Sequence, residues 1–222
     1  LIDLLSILEQ NYYDRNENER EPFYYKVREE YNKQICNFNF LKYNDEWIKR
    51  SAYLIFLNKT CFNGLFRQNK SGEFNVPFGK YKNPKICDKE NLIQVSQALT
   101  NTLIIAGDFT TTEPYINDDS IVYFDPPYRP LNNTSSFTSY YKENFNDESQ
   151  KRLADFYHKM NTKKAFLMLS NSDPKNENPN ENFFDFIYSD FKIERVNANR
   201  MINSNAEKRG KIKELIITNI KN

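Results

Sequence analysis

The chain has 222 residues and a formal net charge of +1 at pH 7, and 39% of its residues are hydrophobic. This length and composition provide a buried core for one domain, with room for a smaller second region. The balanced charge excludes a uniformly basic protein, and no apolar run approaches the ~18 residues of a membrane span. We expect a cytoplasmic protein without membrane contact. Three cysteines without metal-ligand spacing indicate reduced thiols and no metal site.

Residues 1–60 are predicted to be mostly helical. The segment Leu1-Ile2-Asp3-Leu4-Leu5 has a helical pattern, and further helices are predicted over 23–33 and 45–58. Asn44 or Asp45 is the expected cap of the last of these helices. We expect the helices over 23–33 and 45–58 to be scaffold.

The segment 61–85, here called the basic loop, differs in character from the helices before it. It holds three of the five glycines, several aromatic rings, and five basic residues against Glu73, which gives a local net charge of +4. A basic loop with interleaved rings can follow phosphates and place a few side chains on base edges. The composition fits a solvated surface hairpin equally well.

Residues 88–109 are predicted to form a helix and then a strand. Asp88 is the expected cap of a helix that ends at Leu99, and Thr102 to Ala106 have a strand pattern. The strand ends in Gly107-Asp108-Phe109, which by itself is typical of a structural turn.

The most informative stretch is Asp125-Pro126-Pro127-Tyr128, directly after the apolar run 120–124. A run of β-branched and aromatic residues stopped by two prolines predicts a strand that ends in a rigid turn. Ligands bind at the carboxyl ends of strands in open α/β sheets, so this turn is a candidate chemical site. The alternative is a proline turn with an ordinary exposed aspartate.

These four residues suit a planar amino group as their ligand. A carboxylate and a proline carbonyl are both acceptors, and an amino group on a heterocycle offers two N–H donors to such a pair. The tyrosine ring can stack on the heterocycle. Two acceptors on the amino hydrogens favour a pyramidal nitrogen and expose its lone pair to an electrophile. The pattern therefore predicts a site for the exocyclic amine of a nucleobase.

The rest of the chain predicts alternating helices, strands and loops. The long polar loop 129–146 is of a length that is usually functional or disordered, and a helix over 147–160 follows it. A short helix is predicted over 183–188, and strands are predicted over 165–169, 191–196 and 215–219. The segment 197–213 carries five basic side chains and either clamps phosphates or is a solvated loop.

Two long motifs resemble the Dam-type DNA adenine methyltransferases, which modify the adenine of GATC. Asn63 to Arg67 and Gly72 to Lys82 are similar to the target-recognition segment of that family, and Asp125 to Tyr128 to its amine-binding signature. The match continues, in family order, through Phe137-Thr138, Leu169-Ser170-Asn171 and Arg209-Gly210-Lys211. The resemblance implies an α/β fold, an incomplete Rossmann-like methyltransferase domain, with a mainly helical target-recognition region at 1–100 and a catalytic half at 101–222.

The resemblance also implies roles for individual residues. The catalytic residues would be Asp125, Pro126, Pro127 and Tyr128, and those near the cofactor S-adenosylmethionine would be Asp125, Asp108 and Phe109. Arg67 would read guanine, and Lys80 would contact phosphate. The residues expected to contact double-stranded DNA are Phe62, Asn63, Leu65, Arg67, Asn69, Pro77, Lys80, Lys82, Phe137, Tyr140, Asn203, Arg209 and Lys211.

One part of the family pattern is absent from the sequence. The family begins with a Trp/Lys-bearing segment, a Pro-Phe-x-Gly-x-Gly-type turn that cradles the cofactor, and an acidic residue for its ribose. The five glycines, at 64, 72, 79, 107 and 210, include no close pair that could form such a turn. We therefore expect that an amino-terminal part of the enzyme is missing from this chain, and that the chain alone binds S-adenosylmethionine poorly and is inactive.

Three functions remain open on the sequence. The first is a DNA adenine-N6 methyltransferase of bacterial or phage-like origin that acts as a monomer on a flipped-out adenine in GATC, beside a cognate restriction endonuclease. The second is a non-catalytic DNA-binding fragment that needs another chain for cofactor. The third keeps the enzyme and changes its target to cytosine N4 or a protein amide. The intact Asp125 and Tyr128 favour the first function over the second, and the basic loop argues against the third.

Overall fold

The computed structural model describes residues 1–36, 38–40, 42–130, 145–199 and 211–220. The chain divides into two compact units, Leu1–Leu103 and Ile104–Asn222. The first unit is helical and the second holds a four-stranded sheet, which confirms the predicted α/β class. Within the described residues, no helix is long and apolar enough to cross a membrane.

The amino-terminal unit is built on four α-helices, α1 (Ile2–Tyr13), α2 (Glu17–Lys33), α3 (Asp45–Thr60) and α4 (Lys89–Ala98). Helices α1 and α2 both pack against α3 around a core rich in aromatic rings, including Tyr12, Tyr24 and Phe56. Asn44 caps α3 through the backbone N–H of Glu46, and Asp88 caps α4, as the sequence predicts. Helix α2 begins six residues before its predicted start, because Asn16 and Glu19 form a capping box.

The strand predicted over Thr102–Ala106 is wrong. These residues adopt no regular structure, and the side chain of Ile104 is 74% exposed. A β-branched run becomes a strand only where a neighbouring strand supplies hydrogen bonds and a face to pack on. No strand among the described residues pairs with this segment.

The carboxy-terminal unit is organised by one sheet, composed of β1 (Ile121–Phe124), β2 (Phe166–Ser172), β3 (Lys192–Asn199) and β4 (Lys211–Thr218). The strand order is β1-β2-β4-β3, with β1 and β2 parallel and β4 antiparallel to both of its neighbours. The carboxyl ends of β1 and β2 therefore lie side by side. Both ends of the segment 197–213, which is predicted to be a loop, belong to strands: β3 runs to Asn199 and β4 begins at Lys211, while residues 200–210 lie outside the described residues.

Among its described residues this unit has two α-helices, α5 (Asp147–Thr162) and α6 (Phe183–Ile187). Helix α5 connects β1 to β2 and packs on the sheet through its buried face. The sheet contributes Phe124, Leu167 and Ile217 to this core, and α5 contributes Leu153 and Tyr157. The packing leaves the carboxyl end of β1 next to the first turn of α5.

The capping box of α2 gives a test of the fold. Asn16→Ala removes the side-chain oxygen that accepts from the backbone N–H groups of Asn18 and Glu19. Loss of such a cap should lower the free energy of unfolding by about 1 kcal/mol. Chemical denaturation followed by circular dichroism measures the change, with the exposed Asn18→Ala as the matched control. Equal losses in both variants would show that the cap contributes nothing specific.

Candidate functional site

The Asp-Pro-Pro-Tyr turn follows β1 directly, so Asp125 stands at the carboxyl end of that strand. Phe124 pairs with Leu169, and this register places Ser170 beside the turn. The Ser170 hydroxyl donates to Asp125 Oδ1 at 3.3 Å. Since its one hydrogen is used there, the 2.8 Å contact with the Tyr123 hydroxyl is a hydrogen bond that Tyr123 donates. The Asp125 side chain is held in place and remains exposed.

The two proline carbonyl groups of the turn have different environments. The Pro127 carbonyl accepts a 3.0 Å hydrogen bond from the side-chain amide of Gln150, which is fully buried on α5. The Pro126 carbonyl has no hydrogen-bond partner among the residues that the structure describes. Asp125 and the Pro126 carbonyl are therefore two adjacent acceptors that can receive the two N–H groups of a bound amine.

A buried pair of amide side chains fixes the backbone of the turn. Gln150 and Asn171 are both fully buried, and Asn171 Nδ2 donates to Gln150 Oε1 at 3.3 Å. Asn171 Oδ1 accepts from the backbone N–H of Arg129 at 3.0 Å, while Gln150 holds the Pro127 carbonyl. The residues on both sides of Tyr128 are thus tied to one network. Buried polar groups cost free energy when unpaired, so the network favours this one conformation of the turn.

Arg129 anchors the outgoing end of the turn. Its guanidinium makes two hydrogen bonds to Asp147, of 2.7 and 2.9 Å, and lies 4.4 Å from the centre of the Phe183 ring. The hydrogen bond from Arg129 lowers the pKa of Asp147. The Arg129 carbonyl also accepts from the Ser172 hydroxyl at 2.6 Å. These contacts hold the chain rigidly on the far side of Tyr128.

Tyr128 carries the aromatic ring of the turn, and its side chain is 37% exposed. A tyrosine phenol is neutral at physiological pH, and burial of part of the side chain raises the pKa of Tyr128 further. A neutral, partly exposed ring beside two acceptors can stack on a planar heterocycle whose amino group those acceptors hold.

Asp108 and Phe109, the other residues predicted near the cofactor, have structural partners in this unit. The Asp108 carboxylate accepts from the backbone and hydroxyl of Thr110 at 3.1 and 2.7 Å, and from Arg152 at 2.7 and 3.1 Å. Hydrogen bonding from Arg152 holds the pKa of Asp108 well below its usual range. The Phe109 ring packs on Phe156 at 5.4 Å. Cofactor contacts of Asp108 and Phe109 remain predictions.

The basic loop of the amino-terminal unit folds back on itself after α3. The Phe62 N–H donates to the Pro77 carbonyl at 2.8 Å, and the Gly79 N–H to the Thr60 carbonyl at 2.9 Å. A Cβ at Gly79 would lie 2.5 Å from the Cys61 carbonyl oxygen, so no other residue fits there without moving the backbone. The glycine allows the two arms of the loop to approach closely.

All eight residues of this loop that are predicted to contact DNA are exposed. Exposed side chains belong to Phe62, Asn63, Leu65, Arg67, Asn69, Pro77, Lys80 and Lys82. Asn69 differs from the others because its Oδ1 accepts from the backbone N–H groups of Ser71 and Glu73, each at 3.0 Å, and so builds the turn. Lys80 adopts a φ of 55°, a strained value for a residue with a side chain.

The remaining predicted DNA contacts stay predictions. Phe137, Tyr140, Asn203 and Arg209 lie outside the described residues, and of Lys211 only its backbone position at the start of β4 is described. Sequence reasoning missed Gln150. Its signal was present, since Gln150 shares a helix face with Leu153, Ala154 and Tyr157, where a polar residue is unexpected.

Gln150 provides a test of the network. Gln150→Met keeps the side-chain volume but leaves the Pro127 carbonyl and the Asn171 amide without their partner. We expect the free energy of unfolding to fall by about 1–3 kcal/mol. Denaturant titration measures it, with Gln94→Met on the exposed face of α4 as control. A loss no larger than that of the control would remove Gln150 from the account of the turn.

Comparison with known proteins identifies the family. Residues 3–202 match the D12 class N6 adenine-specific DNA methyltransferases. The chain is 51% identical over 220 residues to the type II methyltransferase M.MjaIII of Methanocaldococcus jannaschii, which covers 99% of this chain and 72% of the relative. It is 42% identical over 177 residues to the type II methyltransferase M1.LlaDCHI of Lactococcus lactis subsp. cremoris, with 79% of this chain and 60% of the relative covered.

A third relative is the DNA adenine methylase of Haemophilus influenzae, which is 35% identical over 195 residues, or 87% of this chain and 62% of the relative. The chain thus spans less than two thirds of the length of the Lactococcus and Haemophilus proteins. Its α/β architecture, with one four-stranded mixed sheet, is consistent with the fold of S-adenosylmethionine-dependent methyltransferases. The chain belongs to the D12 class N6 adenine-specific DNA methyltransferase family.

Proposed function

We propose that this chain carries the amine-binding turn and the DNA-recognition loop of an enzyme that methylates adenine N6 in double-stranded DNA. The observation that carries the proposal is the exposed Asp125 carboxylate next to the Pro126 carbonyl, which has no hydrogen-bond partner within the described part of the chain, with Tyr128 beside them. The geometry provides two acceptors and a ring, as the exocyclic amine of a nucleobase requires. Membership of an adenine-specific family favours adenine N6 over cytosine N4.

The turn acts on the amine through the position of its two acceptors and through the negative charge of Asp125. Asp125 and the Pro126 carbonyl accept the two amino hydrogens, which draws the nitrogen toward a pyramidal geometry and frees its lone pair. S-adenosylmethionine, the methyl donor that this family generally uses, would supply an electrophilic methyl group and would leave as S-adenosylhomocysteine, which keeps the electron pair of the broken sulfur–carbon bond. Positive charge grows on the amine nitrogen as its bond to carbon forms, and the fixed Asp125 carboxylate stabilises it. The methylated nitrogen then releases one of its protons to water, which restores the neutral amine.

Access to this turn requires that the adenine leave the duplex. The N6 group of a paired adenine is engaged with thymine, and enzymes that act on a base extrude it from the stack. Tyr128 is placed to receive the extruded ring by stacking, which is worth about 1–3 kcal/mol per base. We infer base flipping on this ground.

The basic loop is the proposed reader of the target sequence. Its net charge of +4 suits the DNA backbone, and Arg67 is exposed on it. An arginine donates two hydrogen bonds to O6 and N7 of guanine, a pattern that no other base presents in the major groove. By the resemblance of this loop, we propose GATC as the target.

The cellular setting is also a proposal. Two of the relatives are named type II methyltransferases, which favours a role beside a cognate restriction endonuclease. We propose cytoplasmic action, as a monomer on DNA.

Asp125 is the residue whose loss separates catalysis from binding. In the natural full-length protein, Asp125→Ala removes an acceptor that acts in the transition state, so turnover should fall by about 10² or more while duplex binding changes little. Radiolabelled methyl transfer and fluorescence anisotropy measure the two quantities. Asp118→Ala, an exposed aspartate ahead of β1, is the matched control. Near-normal turnover in Asp125→Ala would show that Asp125 has a structural role and no catalytic one.

Arg67 and Lys80 separate base reading from phosphate contact. Arg67→Ala should cost about 1–3 kcal/mol on a GATC duplex and much less on a duplex in which the guanine is replaced. Lys80→Ala should weaken binding to both duplexes alike and lower the salt dependence by about one ion. Salt titrations of binding for each variant on each duplex provide the comparison. Equal losses on both duplexes for Arg67→Ala would leave GATC without its main support.

A further inference from the structure

We propose that Asn75 is a positioning residue for sequence reading, which fixes the Arg67 guanidinium so that its terminal edge is presented to guanine. The inference rests on the proposed function, because it assigns to Asn75 a part in the recognition that Arg67 performs. Asn75 needs no contact with DNA to act in this way.

The two residues are joined by three hydrogen bonds across the arms of the basic loop. Arg67 Nε donates to Asn75 Oδ1 at 2.7 Å, and Arg67 Nη2 donates to the Asn75 carbonyl at 3.2 Å. The Asn75 N–H donates in return to the Arg67 carbonyl at 3.1 Å. The side chain and backbone of Asn75 are thus hydrogen-bonded to the side chain and backbone of Arg67.

The hydrogen bonds to Asn75 leave the terminal edge of the Arg67 guanidinium available to a base. A guanidinium has five N–H donors, and Asn75 uses the one on Nε and one of the two on Nη2. The terminal edge, formed by Nη1 and the other hydrogen of Nη2, remains as a two-pronged donor. That edge matches the O6 and N7 acceptors of guanine.

The hydrogen-bond partner of the Arg67 side chain is the neutral amide of Asn75, so the positive charge of Arg67 is not offset by an adjacent negative charge. Among the described residues, no carboxylate forms an ion pair with Arg67, and the nearby Glu73 accepts from Asn69 instead. An amide oxygen orients the guanidinium without cancelling the positive charge that attracts it to DNA. Asparagine therefore suits this position better than aspartate.

Asn75 is itself held by helix α2. The Asn32 side chain accepts from the Phe74 N–H at 2.8 Å and donates to the Phe74 carbonyl at 3.1 Å. The Val76 carbonyl accepts from the Tyr24 hydroxyl at 2.8 Å. Phe74 and Val76 are both 1% exposed, so the side chain of the intervening Asn75 is directed away from the core, toward Arg67.

This arrangement lowers the ordering cost of recognition. A free arginine side chain on the surface samples many rotamers and loses that freedom when it meets a base. An arginine that is already oriented loses less, and the gain applies only where the terminal edge finds its two acceptors. The effect of Asn75 should therefore appear in discrimination between sequences.

The test is a double-mutant cycle on DNA binding by the natural full-length protein. Binding of wild type, Arg67→Ala, Asn75→Ala and the double variant is measured on a GATC duplex and on one with the guanine replaced. Asn75→Ala should lower the affinity ratio between the duplexes about five- to tenfold and change it little when Arg67 is already alanine. Asn75→Asp keeps the acceptor, so it should keep the ratio while lowering affinity for both duplexes. Asn83→Ala, an exposed asparagine of the same loop, is the matched control.

Two results would overturn the inference. An unchanged ratio in Asn75→Ala would show that Arg67 needs no support. A loss that is equal on both duplexes and persists in the Arg67→Ala background would show that Asn75 contacts phosphate itself. Thermal unfolding of each variant identifies loss of the fold, and Asn75→Asp then decides the question. A wild-type protein without any preference for GATC would instead count against the proposed function.

Discussion

The hydrogen-bonded pair of Gln150 and Asn171 is the interaction on which the candidate chemistry of the carboxy-terminal unit depends. A chain that leaves a strand through two prolines cannot fix itself by ladder hydrogen bonds, because proline has no N–H to donate. The turn must be held through its carbonyl groups and through N–H groups that follow the two prolines. Gln150 holds the Pro127 carbonyl and Asn171 the Arg129 N–H, and each amide satisfies the other inside the core.

In the amino-terminal unit, too, a side-chain amide holds a loop backbone that has no strand neighbour on that side. The arm that carries Asn75 is irregular backbone, and Asn32 of α2 pairs with both backbone groups of Phe74. A carboxamide donates and accepts at once, so one half-buried side chain such as Asn32 can replace a missing strand neighbour. In both units a helix thus supplies amide groups that hold a loop, and the loop presents the exposed functional side chain.

The sequence predicts the scaffold well and the supporting contacts poorly. Helical periodicity and capping residues locate most helices, and the β-branched and aromatic run before Asp125 and the apolar run before Ser170 locate two strands, because these signals are local. The strand expected at Thr102–Ala106 fails because strand formation depends on a partner elsewhere in the chain. The pairing of Arg67 with Asn75 depends on the register of two loop arms, which no local pattern specifies. The polar residue on the buried face of α5 is the one supporting contact that periodicity could have revealed.

The charged side chains of both units fall into two groups by their partners. Asp108 and Asp147 are each bound by an arginine, their pKa values are lowered, and their lone pairs are used in holding elements together. Asp125 receives only a hydroxyl hydrogen bond from Ser170, and among the described residues no cation neutralises it.

Arg67 likewise meets a neutral amide where Arg129 meets a carboxylate. A charge that is oriented by neutral donors or acceptors keeps its capacity to bind an external group, whereas an ion pair would have to be broken first. The same residue types therefore serve structure in one place and are available for DNA and the amine in another. What separates the two uses is the charge of the partner, which follows from the fold and is invisible in the motif.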